Sequence, residues 1–452
     1  MREFDVIVIG SGSGLDVASA YTGRGKEVAV IEPGPLGGTC LDRGCIPSKM
    51  LIHHADIVKN IKESEDFHID SKINNVNFQK IIEEVNNEVT EDSNNIEEAL
   101  EASDKHTLYR EEARFTDEKV LEVEDEKITA EKIIVAAGSR PMTPPIEGLD
   151  ELDYLTSKDA LKLNYCPKEI VMIGGGYISL ELAYFYSSMG SEVTILEMGE
   201  KLLKREDREI SKKITELAEE KYNVHTEFSA KKVEKAAGRK TVIAENKDGV
   251  EHRFKADEVL VATGRVPNTD KLEVKNAGLE KDERGFLEVD EYLETNVDGI
   301  YALGDIAGNY MFKHSANLEA EHVFKNSHAG NKYPVDYTAM PHAVFTDPQI
   351  AGVGKTEQEL EEENEKFVSV TYDYSDTGMG MALKEEDGFV KVLAAPDGEI
   401  LGCHIIGPEA STLIHEVLVA MKSGNKNVKD IKDTVHIHPA LNEVVQRAFN
   451  TI

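Results

Sequence analysis

The 452-residue chain has little cysteine, no long apolar run and no excess of basic charge. Each shortage removes a class of protein. Four cysteines are too few for a disulfide scaffold, and in a reducing compartment they leave a redox or metal role open. No His/Cys spacing has the form of a zinc site, so no metal is expected. No window approaches the ~18 apolar residues that a membrane span requires, so no membrane is expected. The N-terminus runs directly into FDVIVIGSGSG, an apolar strand ending in glycines, with no basic segment and no small-residue cleavage site. A cytoplasmic protein is expected. Lys and Arg number 51 against 85 Asp and Glu, a formal net charge of −34. Such a surface repels nucleic acid and anionic lipid. Acidic runs such as EQELEEENEK, from Glu357 to Lys366, read as solvated helix faces. The acid excess fits a salt-rich cytoplasm, where screening over roughly 3 Å at molar salt suppresses self-repulsion.

At this length there is room for about three domains, and no low-complexity linker separates them. Two segments share one design. FDVIVIGSGSGLDVASAYTGRGKEVAVIE, Phe4 to Glu32, and EIVMIGGGYISLELAYFYSSMGSEVTILE, Glu169 to Glu197, each read as strand, glycine turn, helix and second strand ending in an acid. Those are the parts of a dinucleotide site: close backbone approach to a pyrophosphate, a helix N-terminus facing its charge, and a carboxylate for ribose hydroxyls. Both depart from the full glycine fingerprint, because the third glycine is replaced by Leu15 and by Ser179. That glycine serves helix-to-strand packing, so the departure bears on packing more than on phosphate binding.

Three further apolar runs end in glycine: IIVAAGSRP (Ile133 to Pro141), VLVATGRVPN (Val259 to Asn268) and GIYALGDIAG (Gly299 to Gly308). Each reads as a strand reaching a ligand crevice. After about Pro341 the pattern changes to strands such as FVKVLAAP and a helix STLIHEVLVAMKSG, a separate α+β domain.

Cys40 and Cys45 stand in GGTCLDRGCIPSKM, Gly37 to Met50. On a regular helix, residues i and i+5 lie roughly 8.6 Å apart at Cα, beyond the ~7 Å a disulfide tolerates. A bridge would need irregular backbone between them, and Gly44 permits it. From these residues alone the pair reads either as two structural thiols or as a redox couple.

The two dinucleotide units with a cysteine pair beside the first resemble the flavoprotein pyridine nucleotide-disulfide oxidoreductases. The resemblance spans the whole chain. It is carried by GGTCLDRGCIPSK, the two glycine turns, the ALGD segment around Asp305, and HIHPALNE near the C-terminus. It implies an α/β fold of two Rossmann-like domains, for FAD and NAD(P), plus a C-terminal α+β dimerisation domain. The implied boundaries are 1–150 and 269–340 for the two parts of the FAD domain, 151–268 for the NAD(P) domain and 341–452 for the interface domain.

By the same resemblance, Gly10, Gly12, Gly14 and Glu32 hold the adenosine diphosphate half of FAD, with Thr39 and Gly138 beside it, and Asp305 meets the ribityl chain. Gly174, Gly176, Glu197 and Gly264 serve the nicotinamide nucleotide. Lys49 and Glu181 match an ion pair at the reactive face of the flavin. Cys45 is implied as the thiol against the flavin and Cys40 as the interchange thiol. His438, before Pro439, is the implied acid-base group, oriented by Glu443, with His436 the alternative. In this family the C-terminal domain pairs two chains, so a homodimer is implied in which the base serves the partner's cysteines. Cys166 and Cys403 are expected to be dispensable.

Absence of a second C-terminal cysteine pair argues against large thioredoxin reductases and mercuric reductases. Presence of both Cys40 and Cys45 argues against single-cysteine oxidases and coenzyme A disulfide reductases. GSGSGLDVA, KHSANLEA, MPHAVFTDPQIAGVG and HPALNEVV resemble reductases of low-molecular-weight disulfides, of the mycothione and bis-γ-glutamylcystine kind. GGTC…GCIPSK and LGCHIIGPEAS resemble dihydrolipoamide dehydrogenases equally well, which would bring a 2-oxoacid dehydrogenase complex as partner. The expected activity is NAD(P)H-dependent reduction of a small disulfide, with dihydrolipoamide oxidation as the alternative. A sensor flavoprotein without turnover is the alternative of another class. Glu197 favours NADH, although Lys201, Lys204 and Arg205 stand near enough in sequence to serve NADPH.

Overall fold

The computed structural model describes residues 1–236, 238–328 and 332–452. The first glycine unit lies in a seven-stranded sheet. Its parallel centre runs His106–Tyr109, Val28–Ile31, Arg2–Ile9, Glu126–Val135. Ile7, Val8, Val28 to Ile31 and Ile133 to Val135 are buried. Such unbroken apolar runs belong to strands covered on both faces. Beyond Glu126–Val135 the sheet has two neighbours at different heights. Val120–Val123 pairs antiparallel with its first half, and Ile300–Ala302 pairs parallel with Ile133 to Val135.

The second glycine unit builds a parallel four-stranded sheet from Asn223–His225, Glu192–Leu196, Glu169–Ile173 and Glu258–Val261. An antiparallel three-stranded sheet, Phe228–Ala236, Arg239–Asn246 and Glu251–Ala256, packs on it through Val233, Val242 and Val259. A two-stranded ladder of Ser139–Pro141 and Arg265–Pro267 joins the points where the chain leaves the first sheet and returns to it.

The C-terminal region is an antiparallel five-stranded sheet ordered Pro341–Val344, Ile350–Gly354, Ile400–Ile406, Phe389–Ala394, Val368–Asp373. Helices Ala410–Ser423 and Glu443–Asn450 share its core through Leu413, Val417, Val444 and Phe449. The last helix begins at Glu443, with Asn442 as its N-cap after the turns that follow Pro439. Chain parity with the sequence reading is otherwise close: two doubly wound nucleotide-type units and an α+β tail. Among the described residues no helix is long and apolar enough to cross a membrane.

Candidate active site

The two glycine turns are built alike. Gly10 and Gly174 adopt φ of 103° and 109°, and a Cβ on either would collide with the carbonyl oxygen of Ala136 or Ala262, just past the end of the neighbouring strand. In contrast, a Cβ on Gly12 or Gly176 would meet nothing within 4 Å. One glycine of each turn is thus pressed against the sheet while the next faces an open cradle at a helix N-terminus, the form that receives a pyrophosphate. Gly14 makes the close helix-to-strand approach that the sequence pattern assigned to the position of Leu15: its Cβ would lie 2.9 Å from Ala136 Cβ and Val8 Cγ1. Packing in the first unit is therefore not loosened by Leu15. In the second unit the corresponding Ser179 is fully buried, its hydroxyl without a hydrogen-bond partner.

The acids at the strand ends hold these turns. Glu32 Oε2 accepts from the Ser11 amide at 3.0 Å and the Ser11 hydroxyl at 2.8 Å, and Oε1 accepts from the Gly34 amide at 2.9 Å. Glu197 repeats the pattern with the Gly175 amide at 2.6 Å and the Gly199 amide at 2.7 Å. Each carboxylate oxygen offers about two lone pairs, so acceptor capacity remains for ribose hydroxyls. Ser11 was not singled out from sequence; its place inside the glycine fingerprint was the signal available.

Cys40 belongs to helix Gly38–Arg43 and Cys45 opens helix Cys45–Lys62. Between them Gly44 leaves helical geometry at φ −148°, ψ −115°, and a Cβ there would stand 2.7 Å from the Thr39 carbonyl oxygen. The irregular backbone expected for a bridgeable pair is present. Both thiols are free, Cys40 half-buried and Cys45 exposed. The Cys40 thiol, as hydrogen-bond partner, draws the Cys45 pKa down to about 7, with help from the Lys49 ammonium. Cys40 is pushed up by that same contact and by burial. One thiol is thereby poised to ionise and the other to keep its proton.

Lys49, one turn along the same helix, meets Glu181 at 2.7 Å. Glu181 is buried in helix Tyr177–Met189, which begins at the second glycine turn. The ion pair therefore joins the cysteine helix to the second nucleotide unit. Gly138 and Gly264 flank the two-stranded ladder, and beside them lies a network the sequence reading did not identify. Ser139 donates to Asp305 Oδ2 at 2.5 Å, and Arg265 Nε donates to Ser139 Oγ at 2.7 Å. Their adjacency to the two quoted glycines was the only available signal.

At the other end of the chain, His438 is 74% exposed and its Nδ1 lies 3.0 Å from both oxygens of Glu443. Glu443 is buried, and its carboxyl is held below the ordinary value first by the His438 hydrogen bond. His436 is 3% exposed and uses both ring nitrogens, on Glu416 and on the Thr434 carbonyl. It has no free edge to offer a substrate. Among the described residues His438 makes no hydrogen bond to either cysteine of its own chain.

Two nucleotide cradles with a poised dithiol beside the first and an ion pair leading to the second make the layout of a dithiol oxidoreductase that works with flavin and nicotinamide. The chain belongs to the pyridine nucleotide-disulphide oxidoreductase family, whose pattern matches residues 4–320, with the family's dimerisation domain matching residues 340–449. It is 37% identical to a dihydrolipoyl dehydrogenase of Bacillus subtilis, covering 99% of this chain and 96% of that one. It is 34% identical to a mycothione reductase of Mycobacterium tuberculosis, with 99% of each covered. Among solved structures it matches the HOCl-induced flavoprotein disulfide reductase RclA of Escherichia coli at a TM-score of 0.88 and 26% identity, over 99% of this chain and 100% of that one. The family binds FAD and NAD(P), and the open cradles at Gly12 and Gly176 fit such groups.

Proposed function

We propose that the protein uses NAD(P)H to reduce a low-molecular-weight disulfide through Cys40 and Cys45. The observation that carries this reading is the thiol pair, split by Gly44, in which Cys45 is drawn to a pKa of about 7 beside Lys49. Bound FAD supplies two-electron transfer between nicotinamide and disulfide. Gly10, Gly12, Gly14 and Glu32, with Thr39, Gly138 and Asp305, hold it; Gly174, Gly176, Glu197 and Gly264 hold the nicotinamide nucleotide. The Lys49 ammonium, fixed by Glu181, favours the reduced flavin by its charge.

The electron pair opens the Cys40–Cys45 bond. Cys40 attacks one sulfur of the substrate, giving a mixed disulfide and one released thiol, and Cys45 then attacks Cys40 to close the internal disulfide and release the second. His438 accepts the Cys40 proton and gives it to the first departing thiolate, then passes a second proton, from Cys45 or water, to the other, while Glu443 orients the ring. His438 acts on the partner's cysteines in a homodimer, and the protein works in the cytoplasm.

A second reading, dihydrolipoamide oxidation, is favoured by the Bacillus relative and by Glu197, whose charge suits NAD over its 2′-phosphorylated form. One comparison separates the two: NADH- and NADPH-driven reduction of bis-γ-glutamylcystine, mycothiol disulfide and lipoamide on one purified sample. A specificity constant at least tenfold higher for a small-thiol disulfide supports the first reading, and the reverse order supports the second.

A further inference from the structure

Phe345 lies on the short connection that follows strand Pro341–Val344, and three contacts meet there. The Lys49 ammonium stands 4.5 Å from the centre of the Phe345 ring. The Phe345 amide donates to Glu181 Oε1 at 3.0 Å, while Glu181 Oε2 takes the lysine at 2.7 Å. One residue of the C-terminal region thus holds the acid through its backbone and the base through its ring. Two residues on, Asp347 pairs with Lys59 of the same cysteine helix and, at 2.7 Å, with Lys221 of the second nucleotide unit. The connection grips the cysteine helix at Lys49 and again at Lys59, about 15 Å along its axis.

Besides Glu181, the Lys49 ammonium has only a long 3.3 Å contact to the Ser48 hydroxyl of its own helix, which leaves its direction loosely held on a four-carbon stem. The negative face of an aromatic ring supplies the second bearing, because it attracts the ammonium without neutralising it. The ring thus adds no negative charge beyond that of Glu181. A second carboxylate would fix the ammonium equally well but cancel the field it is there to provide.

We infer that Phe345 is a positioning residue for the redox centre, its ring and amide together holding the Lys49–Glu181 pair in the orientation that lets the lysine charge act on the flavin. This rests on the reading of Lys49 given above. The C-terminal region then contributes to the electron path within its own chain, in addition to whatever it contributes across a dimer.

The test reads the equilibrium constant for two-electron reduction of enzyme-bound FAD against a reference dye, in a double-mutant cycle of Phe345→Leu and Lys49→Met. Leucine keeps the backbone amide and the apolar bulk, so only the ring face is lost. Phe345→Leu is expected to lower the constant about fivefold, and Phe345→Tyr, which keeps the ring, less than about twofold. In the Lys49→Met background the leucine substitution is expected to change it less than about twofold, because the ring acts through the lysine. An equal effect of Phe345→Leu with and without Lys49 overturns the inference, as does no effect beside a Lys49→Met enzyme that is itself shifted. An unshifted Lys49→Met enzyme overturns the reading of Lys49 and the inference with it. Flavin content is measured for every variant, and Phe345→Ile replaces the leucine variant if that one fails to retain FAD.

Discussion

His438 and Glu443, five residues apart, face each other so that one ring nitrogen is shared between both carboxylate oxygens at 3.0 Å. The arrangement fixes Nδ1 as the donor and turns Nε2 outward. His438→Ala is expected to lower disulfide turnover about a hundredfold or more while reduction of the flavin by NAD(P)H proceeds unchanged, since only the thiol steps move a proton through it. Refolding Cys45→Ser and His438→Ala chains together tests where the base works. Heterodimers would carry one site with both lesions and one intact site, and activity is expected to return to roughly half of wild type because separate sites add. No recovery in verified heterodimers places the base in its own chain.

The Cys45 pKa sets a pH dependence with a definite sign. A thiol lowered to about 7 stays ionised below the pH at which an ordinary cysteine, near 8.5, would be protonated. The long-wavelength charge-transfer absorbance of the two-electron-reduced enzyme is therefore expected to be full above pH 7 and lost as the pH falls through it. Cys45→Ser removes the band with FAD retained. Cys40→Ala removes the largest cause of the shift, so the midpoint moves upward. An unmoved midpoint contradicts the assignment.

Glu197 presents a charged carboxylate where the adenosine ribose is proposed to lie, and a 2′-phosphate there would meet a like charge. NADH is expected to show the higher specificity constant. Glu197→Gln keeps an acceptor for the turn amides and is expected to narrow the preference by about tenfold, as loss of one close charge repulsion would. Steady-state kinetics with both coenzymes decides it.

Lys391 and Asp207 are both fully buried and 2.8 Å apart, joining the C-terminal sheet to helix Arg208–Lys221. Glu357, and Glu209 at 3.4 Å, complete the cluster on the same ammonium. Removing the lysine leaves uncompensated buried charge, so Lys391→Met is expected to destabilise by about 3 kcal/mol or more, seen as a lower urea midpoint. Burial by itself raises the Asp207 carboxyl, but the neighbouring His404, the Lys391 ammonium and the Glu357 amide together outweigh it and hold the group below its ordinary value. The stabilisation is thus complete above the unfolded carboxylate value near 4 and is lost as the pH falls further, through the folded pKa. Unfolding midpoints from pH 3 to pH 7 are expected to converge for wild type and variant at the acid end.

The glycine turns, the cysteine pair and the HIHPALNE word were legible because each is a local pattern whose chemistry needs fixed spacing. Gly44 was legible as the residue that would permit irregular backbone between the cysteines, though not as the junction of two helices that it proves to be. Phe345, Asp347, Ser139 and Arg265 were not legible as site residues. Their significance comes from contacts between distant segments, 166 positions apart for Ser139 and Asp305 and 288 for Lys59 and Asp347, and no single-chain periodicity reports such a meeting. Leu15 misled in a different way: the fingerprint counts positions, whereas the packing contact depends on which Cα faces the strand, and here that is Gly14.

Strand Ile300–Ala302 completes the first sheet only after the chain has built the whole second nucleotide unit. On the ribosome the order of emergence becomes an order of assembly. The four strands of the second unit, all within Glu169–Val261, are available as a set while the first sheet still lacks a member. At synthesis rates of roughly 5–20 residues per second, the gap between Val135 and Ile300 leaves that edge bare for on the order of ten seconds or more. The nascent protein therefore carries an exposed pairing edge throughout the making of its middle third, and chaperone binding during translation is expected to concentrate there.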